Sequence, residues 1–320
     1  MTRLLAAAIV AALIGLAPPA AAQSWPTKTV KVVVPFGPGT ATDAVARALS
    51  AELTQSLGQP FVVVNKGGAD GAIGATEVAR SAPDGYTLMV GSNSPIVVAP
   101  LLRKETPYST LVDFVPVSFL GESTFFIAVH PSVPAQTLAE LVAYAKANPK
   151  KLNYATGNTT AIVSTSLLAR NAGIEMQQIP YKSDPEALPD LLSGQVQLII
   201  ATALNVVPHA KAGKLRLLAT TLSERSPLMP DVPSIVEAGQ PKFPIGPWAA
   251  IMGPAKLPAD IVERLNTATV AAMAKPEVRE QLLKQGFAVK TTTAAEFGDY
   301  LKEQVANWTK ALKDAGLEQQ

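Results

Sequence analysis

The chain has no cysteine and only two histidines in 320 residues. Without a thiol there is no disulfide framework, no thiolate metal site and no cysteine to carry a lipid anchor. His130 and His209 each sit beside a proline, and neither has a partner at metal-ligand spacing such as H-E-x-x-H. No metal and no cofactor is expected. Net charge is scarce as well: 27 basic against 25 acidic residues leave no field to attract nucleic acid or an anionic membrane. The one long apolar run, Leu4 to Leu16, falls short of the ~20 residues that a membrane span needs. A G-x-S-x-G nucleophile elbow is missing, since Gly91-Ser92-Asn93-Ser94 runs into Pro95.

What is present begins with an address. Arg3, the apolar run and Ala20-Ala21-Ala22 form the basic, hydrophobic and A-x-A parts of a secretory signal peptide over 1–22. Cleavage after Ala22 is expected to release a soluble, exported mature protein. About 300 residues then remain, enough for two domains. Short apolar runs alternate with stretches of helical period, the pattern of an α/β protein with largely parallel sheets. Strands are predicted at Val30–Val34, Phe61–Asn65, Thr87–Gly91, Phe126–His130, Leu152–Thr156, Val196–Ala201, Leu215–Thr220 and Trp248–Met252. Helices are predicted at Thr42–Leu57, Gly71–Arg80, Thr137–Ala147, Leu188–Ser193, Ala259–Ala274, Pro276–Gln285 and Ala294–Ala315. Six prolines between Leu222 and Pro247 stiffen a connection that suits a crossing between domains. A second crossing near Leu120–Thr124 gives a discontinuous first domain, 23–122 plus 248–320, around a second domain, 123–247.

Two loops carry chemistry. From Val32 to Asp43 a buried strand runs into Gly37-Pro38-Gly39 and then a helix capped by Thr42 or Asp43. The first turn of a helix leaves N–H groups unpaired at the positive end of its dipole, so a carboxylate can sit there without Lys or Arg. The device recurs in Asn153-Tyr-Ala-Thr-Gly157-Asn-Thr-Thr, and two such loops, one per domain, would face each other across a closable cleft. The first loop is also similar to a dinucleotide fingerprint. It lacks the third glycine, and Asn65 stands where an acid would hold a ribose. Asp184 and Glu186 read as solvated residues of a polar turn.

At these residues the chain resembles the Bug, or tripartite tricarboxylate transporter, family of periplasmic substrate-binding proteins. The likeness rests on Trp25-Pro26-Thr27, Val34-Pro35-Phe36-Gly37-Pro38-Gly39 with Asp43, and Val64-Asn65-Lys66-Gly67-Gly68-Ala69. It continues through Ala82-Pro83-Asp84-Gly85-Tyr86-Thr87, Asp113-Phe114, Pro180-Tyr181-Lys182, Pro208-His209 with Lys211-Ala212-Gly213-Lys214, and Pro230-Asp231-Val232-Pro233. The resemblance implies a two-lobed type II periplasmic-binding-protein fold, each lobe a mostly parallel sheet flanked by helices, closing on a small organic carboxylate. It also implies that backbone N–H groups and hydroxyls hold the ligand. The candidate ligand-binding residues are Phe36, Gly37, Pro38, Gly39, Thr40, Ala41, Thr42 and Asp43 in the first domain, with Ser92 and Asn93. In the second they are Thr156, Gly157, Asn158, Thr159, Thr160, Ala201 and Thr202.

Departures from the family bear on the ligand. Many relatives carry a histidine where this chain has Ala161-Ile162-Val163, and Asp-Asn where it has Ala201-Thr202. An aspartate there could meet a positive or hydroxyl group, so its absence argues for an uncharged skeleton, an aliphatic or aromatic mono- or dicarboxylate, and against amino acids. Thr40 stands where many relatives have a second consecutive glycine. The reading is a monomeric receptor that performs no chemistry and hands its ligand to a membrane transporter or a sensor. The rival is an exported α/β hydrolase that uses the same cleft.

Overall fold

Apolar, largely β-branched runs form the centres of two sheets in the computed structural model, which describes residues 25–243 and 245–317. The expected signal peptide and its cleavage site lie outside the described residues. In chain order the first elements are β1 (Val30–Val34), α1 (Ala41–Leu57), β2 (Phe61–Asn65), α2 (Ala72–Ala79), β3 (Thr87–Ser92), α3 (Ala99–Leu102) and β4 (Phe114–Ser123). Then come β5 (Phe125–Val129), α4 (Leu138–Ala147), β6 (Asn153–Thr156), α5 (Thr159–Ala172), β7 (Gln177–Pro180), α6 (Asp184–Leu192), β8 (Leu198–Thr202), α7 (Ala203–Lys211) and β9 (Arg216–Thr220). The chain ends with β10 (Trp248–Pro254), α8 (Ala259–Ala274), α9 (Pro276–Lys284), β11 (Phe287–Val289) and α10 (Ala294–Ala315). One six-stranded sheet has the order β11-β4-β10-β3-β1-β2, and one five-stranded sheet the order β7-β6-β8-β5-β9. Helices flank both, giving two α/β lobes.

The sheets are mixed, which corrects the expectation of mostly parallel ones. β1 runs parallel to β2 and β3, but β10 is antiparallel to β3 and β4, and β11 to β4. In the second sheet β6 is parallel to β7 and β8, while β5 is antiparallel to β8 and β9. Strands β5 and β10 are buried along their whole length, as parallel strands usually are, and burial does not reveal direction. Both adjoin the crossings between sheets, where no strand–helix–strand unit dictates a parallel return. Three strands go unpredicted: β4, which is broken by Pro116 and Gly121, and the short outer strands β7 and β11. The short helix α3 and helix α7, the latter with Pro208 in its last turn, are also missed.

One apolar cluster runs from Val33 and Met89 of the first sheet through Phe119 and Trp248 to Ile127 and Leu198 of the second, and takes in Trp308 of α10. Two further clusters fill the outer faces, around Leu49, Leu53 and Leu265 and around Leu191, Ile199 and Val206. Each fully buried Leu, Ile or Phe of this kind contributes roughly 1.5–3 kcal/mol. The two crossings lie side by side. Thr124, alone between β4 and β5, donates its N–H to the Gly286 carbonyl at 2.8 Å and accepts at its own carbonyl from the Ala203 N–H at 2.8 Å. Next to it the Ser123 N–H donates to the Pro247 carbonyl at 2.9 Å.

Candidate functional site

The first loop is shaped by one glycine and one clasp. Gly39 has φ +80°, a conformation open to glycine at little cost, and the chain turns there into α1. Thr40 is the helix cap: its backbone is extended and its Oγ1 accepts from the Asp43 N–H at 3.3 Å. This corrects the expected cap at Thr42 or Asp43, because the Asp43 carboxylate is committed elsewhere. It accepts from the Gly39 N–H at 3.0 Å, Asn65 Nδ2 at 2.8 Å and Arg47 Nε at 3.0 Å. Burial pushes the Asp43 pKa up, but the Arg47, Asn65 and Gly39 hydrogen bonds outweigh that and hold the carboxyl below its usual range. Asn65 also donates to the Phe36 carbonyl at 3.1 Å, so the residue weighed as a nucleotide-site substitute braces the loop.

The second loop has the same plan. β6 ends at Thr156, and Asn158 caps α5 by accepting from the Ala161 N–H at 2.9 Å. Gly157 between them has no left-handed φ, so its smallness serves another purpose. A Cβ there would collide with the backbone N and the carboxyl Oδ1 of Asp184, which starts α6.

Between the loops lies a small cleft. Of the expected residues, Phe36, Thr40, Ala41, Thr42, Ser92, Asn93, Gly157, Asn158, Thr160 and Thr202 line it. Gly37, Pro38, Gly39, Asp43, Thr156, Thr159 and Ala201 do not. Pro38 and Gly39 are exposed, and Asp43 is the clasp just described. Thr156 Oγ1 accepts from Gln178 Nε2 at 2.9 Å, and Thr159 Oγ1 is buried without a hydrogen-bond partner among the described residues. Ala201 packs behind β8 with Phe126, Leu191 and Val206, since successive side chains alternate faces and Thr202 takes the cleft side. Val163 belongs to the core and Ile162 does not reach the cleft. Ile162 and Val163 therefore do not supply the expected apolar walls; the lining surface is apolar for the larger part all the same, with Phe36, Phe125 and Trp248 as the large contributions among hydroxyls and amides.

Sequence reasoning missed Ser94, Ser123, Phe125, Asp184, Pro247 and Trp248, which the fold carries to the same cleft. Trp248 is set by packing against Phe119, Phe297 and Tyr300, and by its Nε1 donating to Gln304 Oε1 at 3.1 Å. The lobes touch across the cleft, with Asn93 Nδ2 donating to Thr160 Oγ1 at 2.7 Å and Ser94 Oγ 2.8 Å from the same atom. Asp184 is the largest correction: it is 4% exposed, not solvated. Burial pushes its pKa up to about 6, against hydrogen bonds from the Thr202 N–H, Asn158 and Asn205. The Asn158 Nδ2 contact measures 3.1 Å. A signal was available, since an acid and a proline in a first turn ahead of an apolar run mark a helix start.

Two α/β lobes around a cleft on which helix N-termini open have the architecture of a two-lobed solute-binding protein. The chain belongs to the tripartite tricarboxylate transporter family receptors, whose family model matches residues 45–317. It is 36% identical to Protein BugT of Bordetella pertussis over 99% of this chain and 98% of that one. Among solved structures, an R. palustris protein with adipate superposes with a TM-score of 0.89 at 32% identity, covering 92% of this chain and 100% of that chain. MatC from Rhodopseudomonas palustris with bound malate gives 0.84 at 33% identity, covering 90% of this chain and 100% of that chain. No helix among the described residues is long and apolar enough to cross a membrane.

Proposed function

We propose that this protein captures a small organic carboxylate between its lobes in the periplasm, performs no chemistry on it, and presents the closed form to transporter subunits or a sensor. The observation that carries the reading is that the first turns of α1 and α5 both line one cleft, while no Lys, Arg or His lines it among the described residues. Helix N-termini and hydroxyls are then left to hold the anion. The ligand is an aliphatic or aromatic mono- or dicarboxylate, in keeping with relatives solved with adipate and malate. The lobes divide as 23–122 plus 248–320 and 123–247. Support for this is that the first sheet draws its strands from Val30–Ser123 and Trp248–Val289 and the second from Phe125–Thr220. Thr124 and Pro247 mark the hinge, and the protein acts as a monomer exported by residues 1–22.

The test is a thermal-shift screen of the mature protein against mono-, di- and tricarboxylates, with ester hydrolysis assayed in parallel. A ligand at ~100 times its Kd adds about 2.7 kcal/mol, or roughly 5–11 °C in Tm for lobes of this size. Ester turnover, or the failure of every carboxylate to raise Tm, would overturn the proposal.

A further inference from the structure

Asp184 is the only charged side chain among the described residues that line the cleft. It is almost fully buried, and the groups that satisfy it are neutral: Asn158 Nδ2, the Thr202 N–H and the Asn205 side chain. Asn205 in turn donates to Thr202 Oγ1 at 2.9 Å, so the donors hold one another in place. A carboxylate has about four acceptor sites on its two oxygens, and three donors leave one unfilled. The acid also stands at the anion-binding end of the cleft. A methyl group on Gly37 or Gly39 would meet Ser183 Oγ or Pro185 Cγ at 3.9 Å, so the first loop lies against both neighbours of Asp184, while Gly157 of the second loop lies directly under it.

An anion held by these helix N-termini is therefore brought beside a buried acid that no cation neutralises. A plain carboxylate would set its oxygens against those of Asp184, and burying unpaired like charges is costly. A ligand with a hydroxyl or ammonium group next to its carboxylate would instead fill the vacant acceptor site. Resting on the receptor reading above, we propose that the ligand carries such a hydrogen-bond donor beside a carboxylate, and that Asp184 is the residue that selects it. This reverses the expectation drawn from the missing acid at Ala201. The side chain at 201 points into the core, and the acid of this cleft comes from 184.

The test is calorimetric titration of the mature protein with matched acids that differ in one substituent. The sets are propionate, lactate and alanine; succinate, malate and aspartate; and glutarate, 2-hydroxyglutarate and glutamate. In the set whose length fits, the hydroxy or amino acid should bind at least tenfold tighter than the plain acid, as expected for a hydrogen bond to a charged group. Which of the two wins identifies the donor. In Asp184→Asn, checked for folding by its melt, the gap should shrink to within threefold. A plain acid that equals or beats both partners in the wild type, or an Asp184→Asn protein that keeps the preference, overturns the inference and leaves the receptor reading intact. If no member of any set binds and no carboxylate shifts the melt, both fall. The wild-type comparison decides the ligand class even where the variant does not fold, and Asp184→Ser then supplies the second variant.

Discussion

At the scale of single residues, Asp184 makes stability depend on pH in the direction opposite to most paired acids. Its folded pKa of about 6 lies above the ordinary 3.8, so the native protein holds this proton more tightly than the unfolded chain does. Between those values the unfolded state has lost the proton and the native state has not. Stability from this group is therefore full below about pH 4, falls as pH rises towards 6, and levels off above it. A shift of this size corresponds to something on the order of 3 kcal/mol. Asp43, with its lowered pKa, contributes stability that is present above its unfolded value and lost as pH falls through its folded one. Comparing the wild type with Asp184→Asn cancels that opposing slope. Urea unfolding at pH 4.5 and 7.5 should show the wild type losing ground to the variant at the higher pH. An equal difference at both values would mean that Asp184 titrates as a solvated acid.

At the scale of elements, the two strand–turn–helix loops were legible because everything that shapes them is local: a buried strand, a turn with Gly, and a Thr or Asn that caps the next helix. Phe125, Asp184 and Trp248 were not legible as site residues, because each is delivered by an element distant in sequence that only tertiary packing brings alongside. Ala201 was misplaced for a related reason. Strand alternation fixes that neighbours face opposite ways, but which face is the cleft depends on the partner lobe. Sheet direction was lost in the same way, since β5 and β10 show in sequence only that they are buried. The second loop now gives a sharp expectation. Gly157→Ala puts a methyl group into the backbone N and carboxyl of Asp184, and the α6 turn must retreat to admit it. Overpacking of this kind costs about 1–3 kcal/mol, and here it also moves the acid that lines the cleft. Denaturant midpoints should fall, and ligand affinity should fall further than the midpoint loss explains. Gly173→Ala, at a helix end where no neighbour lies within 4 Å, serves as the control for glycine strain alone, its φ being +62°.

At the scale of the whole molecule, a core that runs unbroken through both sheets coexists with a cleft that must open to admit a ligand. The apolar cluster joins the lobes and reaches Ile96 and Ala161, close to Ser94 and Thr160, while the hydrogen bonds seen between the lobes at the cleft centre on Thr160. Thr160 Oγ1 receives Asn93 Nδ2, and its N–H donates to Ser94 Oγ at 3.3 Å. Asn93 is 0% exposed with the lobes in this contact, so removing its acceptor leaves a buried amide donor unsatisfied. That penalty is roughly 1–3 kcal/mol and applies only to the closed form, since water can satisfy the amide once the lobes part. Thr160→Val should therefore shift the unliganded protein towards the open form by about fivefold to a hundredfold, and reduce apparent affinity by the fraction of closed molecules lost. Small-angle X-ray scattering should show a larger radius of gyration for unliganded Thr160→Val than for the wild type, with saturating ligand bringing the two together. If the unliganded curves superimpose while affinity still drops, Thr160 acts on the ligand directly, and the balance between open and closed forms is set at the hinge.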